Sequence, residues 1–409
     1  MLRLLGFTLL AFVFLASSPG IACYQYEAVQ LRETALAYAG ADRTPRWSDD
    51  GAIIVVNIHN RIFRIGVDGN DLRSIPKNRH DGQYSPRIIP NGRIVYLDYN
   101  KRHPLLMDVL TRHHLETMDF AGERIKRPEE LKRAHIPAWS HDGSRLAYIH
   151  IESDSTPAVR ITAYDGPGQT ELSPPYPFLA SFISYITWHS DGRRIAFWLD
   201  RHAITTVDLE TETWHVVAES RGLGAYVSQP VWSSSYERLY YIGREPGIAD
   251  DQQPSMPFLL HSANYDGSDH QPIADLSQYI QGWPIDFSLS PNAQQFLFVD
   301  ASRSQNDQLY VINIDGSDLK NVISDPSYTG GCFKGRAAGY CPRLRASWSP
   351  DGTRIAVHNP HPGARNILYT MAPDGSDVET LIARGPSVDT LTPLHGEPVR
   401  VDLPPPEVR

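Results

Sequence analysis

The chain repeats one alternating pattern of hydrophobic and polar positions. In "WSPDGTRIAV", residues 348–357, a tryptophan ends an apolar run, a polar turn follows, and a second alternating run begins. Asp-Gly between two such runs is the strongest short-range signal of a β-hairpin, because glycine adopts positive φ without steric cost. The stretch therefore predicts two antiparallel strands joined at Asp351 and Gly352.

The same pattern begins at regular intervals along the chain. Clear copies start at Trp47, Trp139, Trp188, Trp232 and Trp348, and degenerate copies start at Ile88 and Leu289. The spacing averages about 50 residues, which is the range of solenoid and propeller repeats. A second signature follows several starts, as Asp-Gly-Asn-Asp at 68–71 and as Asp-Gly-Ser-Asp at 266–269, 315–318 and 374–377. Each unit therefore predicts four short strands and two polar turns.

A four-stranded sheet of this length cannot bury both of its faces alone, but stacked copies can. Stacking around an axis gives a β-propeller, in which each tryptophan fills the gap between neighbouring sheets. We predict an all-β, seven-bladed β-propeller of four-stranded antiparallel blades over residues 43–385. Six or eight blades are the alternatives, because two copies are degenerate. Residues 386–409 form a proline-rich C-terminal tail, and residues 23–42, or 386–403 within the tail, are candidates for a ring-closing strand.

The pattern W-S-P-D-G-x-x-I-A-x, followed by I/L-Y-x-x-x-x-D-G-S-D, resembles the WD40-like (PD40) repeats of the TolB-type β-propeller family. The resemblance covers nearly all of the chain after the N-terminal segment. TolB has an additional α/β domain before its propeller, whereas only about 20 residues separate Cys23 from the first repeat here. We therefore expect that domain to be missing. The resemblance implies the fold and leaves function open, since such propellers host binding, lyase and peptidase-accessory roles.

The N-terminus has the features of a signal peptide over residues 1–22. An apolar stretch follows Arg3, and Gly20 and Ala22 occupy the −3 and −1 positions of a cut before Cys23. "GIAC" partly resembles a bacterial lipobox, although Gly20 stands where that motif usually has leucine. We predict an exported protein that is periplasmic, secreted or anchored to the outer membrane by lipid on Cys23. A retained membrane anchor and a buried N-terminal helix are the alternatives.

The other two cysteines, Cys332 and Cys341, flank the glycine-containing segment "FKGRAAGY". They predict a disulfide in an oxidising compartment.

Composition narrows the classes of partner. The chain has 409 residues, of which 41% are hydrophobic and 21% charged, as in a soluble globular protein. The net charge is −9, which is opposite in sign to the basic surface typical of nucleic-acid-binding proteins. The sequence contains no G-x-S-x-G elbow, no H-E-x-x-H and no P-loop. We predict a monomer without cofactor or nucleic-acid partner.

The propeller axis is the best general site. Residues just before the repeat starts lie near the channel mouth, and the candidates are Arg46, Arg87, Thr187, Asp286 and Arg345. Arginines around a narrow opening favour an anionic ligand. The alternative is that some of these residues pair with acids of strands or loops.

A metal site is the weaker hypothesis. His358 and His361 in "VHNPHPG" are the candidates for ligands. Oligogalacturonate lyases, which are propellers of a related repeat type, use a histidine-rich manganese site, and this chain has no H-x-H pair to match it. We therefore predict no metal and interpret the histidines as scattered surface and turn residues.

The function predicted from these features is that of an exported binding or scaffold protein. It holds a protein or cell-envelope ligand on one propeller face or at the central channel. The alternative is a hydrolase or polysaccharide lyase with its site in the channel, and a third possibility is a sensor ectodomain.

Overall fold

Seven antiparallel β-sheets follow one another along the chain in the computed structural model. Each sheet is one blade of a propeller, so the predicted all-β fold and the count of seven are confirmed. The structure describes residues 44–58, 61–75, 83–89, 92–99, 113–119, 134–150, 158–163, 169–172, 183–199, 203–219, 226–233, 235–244, 257–301, 307–323, 343–360, 366–385 and 390–400.

Four consecutive strands form most blades. Blade 1 contains β1 (Arg46–Trp47), β2 (Ile53–Ile58), β3 (Arg61–Gly66) and β4 (Arg73–Ile75). Three strands of blade 2 are described, β5 (Gln83–Ile89), β6 (Arg93–Tyr99) and β7 (His113–Asp119). Blade 3 contains β8 (Ala134–Trp139), β9 (Arg145–His150), β10 (Ala158–Ala163) and β11 (Gln169–Leu172), and blade 4 contains β12 (Ile183–Trp188), β13 (Arg194–Leu199), β14 (Ala203–Asp208) and β15 (Thr213–Glu219).

Blade 5 departs from the predicted four strands because its first strand is divided. It contains β16 (Tyr226–Val227), β17 (Val231–Ser233), β18 (Arg238–Arg244), β19 (Phe258–Asn264) and β20 (Gln271–Asp275). Ser228 donates its backbone N–H to Ile242 O at 2.8 Å and accepts the Ile242 N–H on Oγ at 2.9 Å. Pro230, which has no N–H to give, follows within the gap, and the ladder resumes at Val231.

Blade 7 is also wider than predicted. Blade 6 keeps four strands, β21 (Trp283–Leu289), β22 (Gln295–Ala301), β23 (Gln308–Asn313) and β24 (Lys320–Asn321). Blade 7 contains β25 (Arg345–Trp348), β26 (Ile355–His358), β27 (Asn366–Met371) and β28 (Glu379–Arg384), and its sheet continues through β29 (Thr390–Pro393) and β30 (Val399–Arg400).

The blades form a ring around one axis. The first strands of neighbouring blades lie beside one another, as β8 with β12, β12 with β17, β17 with β21, β21 with β25, and β1 with β5. A hydrophobic core joins blade 7 to blade 1 and includes Ile54 and Val56 on one side and Ala356 and Leu368 on the other. First strands therefore line the axis, and the ring closes through packing between sheets.

The repeat tryptophans lie between sheets, as the sequence predicts. Trp188 is in the core between blades 3 and 4, and its Nε1 donates to Ala138 O at 2.8 Å. Trp348 is in the core between blades 6 and 7. Trp47 packs against the core between blades 7 and 1, and Trp232 packs against the core between blades 4 and 5. These four indoles thus lie at the junction between their own blade and the preceding one.

The first turn of each repeat is built by its own polar residues. Ser349 Oγ donates to Asp351 Oδ1 at 2.6 Å and accepts the Arg354 N–H at 2.9 Å. Equivalent bonds recur at Ser48, Ser140 and Ser290. The serine and aspartate of W-S-x-D-G are therefore needed to satisfy the backbone of the turn.

The second turn of each repeat is also held by its own polar residues. Asp374 Oδ1 accepts the backbone N–H of Ser376 at 2.9 Å and its hydroxyl at 2.6 Å. The turn glycine also approaches the preceding blade, because a Cβ on Gly375 would lie 2.6 Å from Val322 O. Similar close approaches to the preceding blade occur at Gly69, Gly267 and Gly316.

The pair of strands β29 and β30 extends blade 7 toward blade 1. Leu391, Thr392 and Pro393 pair with β28, and Leu391 is buried in the core that joins the two blades. After β29 the chain reaches blade 1, where His395 N donates to Gly69 O at 3.1 Å. This C-terminal hairpin therefore adds a contact across the closure of the ring.

Candidate functional site

The two ends of the ring differ. The turn face is the end of the ring that carries the turns between the first and second strands and between the third and fourth strands of each blade. The loop face is the opposite end. Turns on the turn face are short, as at 48–52 and 67–72. Connections whose ends lie at the loop face include the long segments 100–112, 173–182, 245–257 and 322–344. Variable connections on a rigid scaffold are where binding residues concentrate.

All five channel-mouth candidates lie on first strands, beside the axis. Arg46 is on β1, Arg87 on β5, Thr187 on β12, Asp286 on β21 and Arg345 on β25. The Arg87 guanidinium lies 6.0 Å from the ring centroid of Tyr185 on β12. Their binding role stays a prediction.

Asp286 and Arg345 are brought together. β21 shifts register between Ile285 and Ser288, and Asp286 in this bulge has a φ of 53°. Such a bulge redirects a side chain. The Asp286 carboxylate accepts from Arg345 Nη1 at 2.9 Å, from the Ala346 N–H at 3.0 Å and from Thr44 Oγ1 at 3.2 Å. This pairing matches the alternative in which channel-mouth residues are used to hold the fold.

Two further carboxylates are buried at the loop face of blade 6. Asp307 is fully buried and accepts from Arg343 Nη1 and from the Leu344 N–H, both at 2.8 Å. Burial raises the pKa of Asp307 to about 6. Asp300 accepts the N–H groups of Gln281 and Gly282 at 2.9 and 2.8 Å, and burial raises its pKa as well. These bonds fix the segments that lead into β21 and β25.

A cleft opens between blades 7 and 1 at the loop face. Its volume is about 270 Å³, counting the space open to solvent, and it is lined by Asn57, Ile58, His358, Asn359, Pro360, Ile367 and Arg384. Asn57, His358 and Asn359 are buried, with at most 1% of their surface exposed. Burial lowers the pKa of Arg384, because a guanidinium loses hydration there. The cleft therefore combines a cation and buried polar groups with an apolar wall.

His358 lies at the end of β26, directly across the sheet from Arg345 on β25. Its metal-binding partner in the hypothesis, His361, is outside the described residues, as are Cys23, Cys332, Cys341, the signal segment 1–22 and the segment 23–42. Within the described ranges, no group of three His, Cys, Asp or Glu side chains is placed to hold a metal ion. No helix of the described part of the chain is long and apolar enough to cross a membrane.

Sequence reasoning missed the amides and the arginine of the cleft. Asn57 and His358 stand ten residues after Trp47 and Trp348. Blades 3 to 6 have apolar residues at that position, namely Ile149, Trp198, Ile242 and Val299. Blade 2 has Asp98 at this position, so alignment of the repeats would have revealed polar residues there in three consecutive blades, 7, 1 and 2. Arg384 gives no comparable signal, because it lies outside both repeat signatures.

Comparison with known proteins supports the fold. The structure is similar to oligogalacturonate lyase from Vibrio parahaemolyticus, with 10% identity, coverage of 81% of this chain and 89% of that chain, and a TM-score of 0.54. It is similar to the tricorn protease, with 12% identity, coverage of 88% of this chain and 34% of that chain, and a TM-score of 0.52. TolB from Acinetobacter baumannii shares 15% identity over 80% of this chain and 78% of that chain, with a TM-score of 0.44.

These likenesses concern the propeller fold alone, because identity is low. No protein-family profile matches the sequence, and no curated protein matches it. The chain spans about a third of the tricorn protease.

Proposed function

We propose that this chain is an exported TolB-type propeller that acts as a binding scaffold and holds a protein or cell-envelope partner on its loop face. The observation that carries the proposal is the difference between the two faces. The turn face is made of short turns whose polar groups bond within the turn and whose glycines pack on the preceding blade. The loop face carries the long connections and the cleft.

Site-specific photo-crosslinking tests this proposal. A photoreactive residue is placed at Gln278 or Gln281, which are exposed between β20 and β21 at the loop face. The matched control is Thr211, which is exposed in the turn between β14 and β15 on the turn face. After incubation with envelope extract of the source organism, we expect a discrete adduct from the first two positions and none from Thr211. Adducts of equal yield from both faces, or from Thr211 alone, would contradict the proposal.

Export and anchoring are part of the same proposal. The apolar N-terminus and "GIAC" support removal of residues 1–22 and, in one form, lipid on Cys23. The intact mass of the mature protein tests both features at once. A mass that begins at Met1 would overturn export.

The second candidate is a hydrolase or polysaccharide lyase. It is favoured by the fold likeness to oligogalacturonate lyase and by Asp307, whose pKa of about 6 suits a general acid. Both Asp307 oxygens already accept hydrogen bonds from Arg343 and Leu344, which favours the scaffold instead. Turnover of oligogalacturonate that is lost in Asp307→Asn would favour the enzyme.

A further inference from the structure

Blade 5 carries two histidines at repeat positions that are aromatic or aliphatic in other blades. The first position lies five residues before the first aspartate of the second turn, and the second lies four residues after it. Blade 5 has His261 and His270 at these positions. The corresponding pairs in blades 1, 6 and 7 are Phe63 and Leu72, Tyr310 and Leu319, and Tyr369 and Val378. Titratable rings therefore replace an apolar contact in this blade.

His261, His270 and Tyr241 form a cluster of three rings. The ring centroid of His261 lies 5.0 Å from that of Tyr241 and 4.8 Å from that of His270, and Tyr241 and His270 are 5.9 Å apart. The Tyr241 hydroxyl is also hydrogen-bonded to Nε2 of His270. Gly243 leaves room for the cluster, because a Cβ there would lie 3.2 Å from Cδ2 of His261. The cluster joins β18 and β19 to the turn that leads into β20.

His261 is buried without hydrogen bonds to its ring. It is 2% exposed, and neither ring nitrogen has a hydrogen-bond partner among the described residues. A neutral imidazole has one N–H donor, whereas the protonated ring has two and carries a charge. Burying donors without acceptors costs free energy, and burying an unpaired charge costs more. The ring can therefore take up a proton only when it reaches water.

The groups that face the cluster disfavour a charged His261. The core that contains Tyr241 is apolar on its blade 4 side, with Ala196, Ile204 and Val217. Asp269 accepts hydrogen bonds from Arg238 Nη1 at 2.5 Å and from Gln271 Nε2 at 2.6 Å. His270 is exposed and adds positive charge beside His261 when it is protonated. Burial, with a smaller contribution from His270, lowers the pKa of His261 from 6.5 to about 4.

The start of β20 has an interrupted ladder beside the cluster. β20 is the outer strand of blade 5, and its pairing with β19 shifts register between Leu260 and His261. Pro272, the residue opposite His261, has no N–H to donate. Contacts between the three rings therefore supply much of the attachment of this end of the strand. Elements held by few buried contacts are those that open locally.

We propose that His261 and His270 form an acid-sensitive latch. At neutral pH the uncharged rings pack with Tyr241 and hold the start of β20 on blade 5. In acid His261 takes up a proton and leaves the cluster, and β20 separates from β19. Because β20 leads into the loop-face segment that contains Gln278 and Gln281, its release also loosens that segment. The latch goes beyond the proposed function, and only its effect on partner binding rests on that function.

Amide hydrogen exchange of the full mature chain tests the latch. Protection of residues 270–275, corrected for the intrinsic effect of pH on exchange, is compared with that of residues 378–383. The second segment occupies the same place in blade 7, where Tyr369 and Val378 replace the histidines. Opening moves His261 from a pKa of about 4 to one near 6.5, so protection of 270–275 should fall about 30-fold between about pH 7.5 and pH 5. Protection of 378–383 should stay constant, and equal changes in both segments would overturn the latch.

Two variants assign the effect to His261. His261→Phe places at this position the residue type that blade 1 has, and it should abolish the pH dependence at 270–275. His215→Phe is the matched control, because His215 contacts Tyr265 at the same blade junction, and it should leave the dependence unchanged. Equal effects of the two variants would refute the role of His261. If His261→Phe does not fold, the comparison of the two segments in the unaltered chain still decides.

The latch and the proposed function fail separately. Loop-face crosslinks together with exchange that is independent of pH would refute the latch alone. Exchange that depends on pH, together with equal crosslinks from both faces, would refute the proposed function and support the latch.

Discussion

The carboxylate of Asp286 lies 2.9 Å from Nη1 of Arg345, and this ion pair joins blade 6 to blade 7 beside the axis. The same carboxylate accepts a hydrogen bond from the hydroxyl of Thr44, which precedes blade 1. One side chain therefore links three blades where the two ends of the ring meet. Because only 9% of the Asp286 side chain is exposed, its electrostatic contacts are weakly screened by water.

Asp286→Asn is expected to destabilise the protein by about 2–4 kcal/mol, because Arg345 loses its counter-charge in a mostly buried site. The matched control is Asp377→Asn, since Asp377 also has a φ of 53° and pairs with an arginine, but is 73% exposed. Asparagine tolerates that φ, so the control isolates charge and burial. The control should cost at most about 1 kcal/mol. Chemical denaturation measures both, and equal losses would refute the role of Asp286.

Gly375→Ala tests the close approach between blades. Gly375 has a φ of +85°, and an added Cβ would lie 2.6 Å from Val322 O in blade 6. Gly51 has a φ of +70°, but its added Cβ would lie 3.9 Å from the nearest atom. We expect Gly51→Ala to lower the free energy of unfolding by about 1–2 kcal/mol, from backbone strain alone. Gly375→Ala should cost about 1–3 kcal/mol more because of overpacking. Equal losses in thermal denaturation would show that the blades do not meet at this glycine.

Removal of the C-terminal hairpin tests its contribution to ring closure. A chain that ends at residue 385 lacks Leu391, which is 2% exposed in the core between blades 7 and 1. We expect a loss of at least about 2 kcal/mol, the contribution of one buried leucine. A chain that ends at residue 400 keeps β29 and β30 and is the control. If both truncations lower the melting temperature equally, the hairpin is not the stabilising element.

His261 predicts a pH dependence of stability. Its ring is 2% exposed and stacks between Tyr241 and His270, with centroids 5.0 and 4.8 Å away. Burial, with a smaller contribution from His270, lowers the pKa of His261 from 6.5 to about 4. The unfolded chain therefore binds this proton more tightly, so stability is full above pH 6.5 and falls as pH decreases toward 4, by up to about 3 kcal/mol. His261→Phe should remove this slope in denaturation curves, and an unchanged slope would contradict the assignment.

Asp307 predicts a slope of opposite sign. Its folded pKa is raised from 3.8 to about 6, so its contribution to stability is present below pH 3.8 and is lost as pH rises through 6. Asp307→Asn should lower stability overall, because the ion pair with Arg343 is lost, and should remove this loss between pH 4 and 6. Stability measured against pH in the variant should then rise more steeply toward neutral pH than in the unaltered chain. A parallel curve would show that folding does not change the pKa of Asp307.

The sequence predicts the fold well because the repeat is local. Trp348, Ser349 and Asp351 act within one hairpin and against one neighbouring sheet, so their spacing alone indicates the unit and its stacking. The two degenerate repeat starts, Ile88 and Leu289, also lie on the first strands of their blades. Alternating apolar residues can pack there without an indole. Departures from the four-strand unit occur where a proline and a serine interrupt a ladder in blade 5.

The candidate site was less predictable because it depends on contacts between distant parts of the chain. Asp286 and Thr44 are separated by 242 residues, and only ring closure brings them together. The cleft likewise combines Asn57 with Arg384, and no spacing along the chain relates them. Channel-mouth residues could be placed on first strands from the repeat alone, but their pairing partners could not.

A crystal structure of the mature chain tests the closed ring most directly. We expect seven sheets around one axis, with the Asp286 carboxylate within hydrogen-bonding distance of Arg345, Ala346 and Thr44. A different number of sheets, or blades 7 and 1 separated without these contacts, would contradict it.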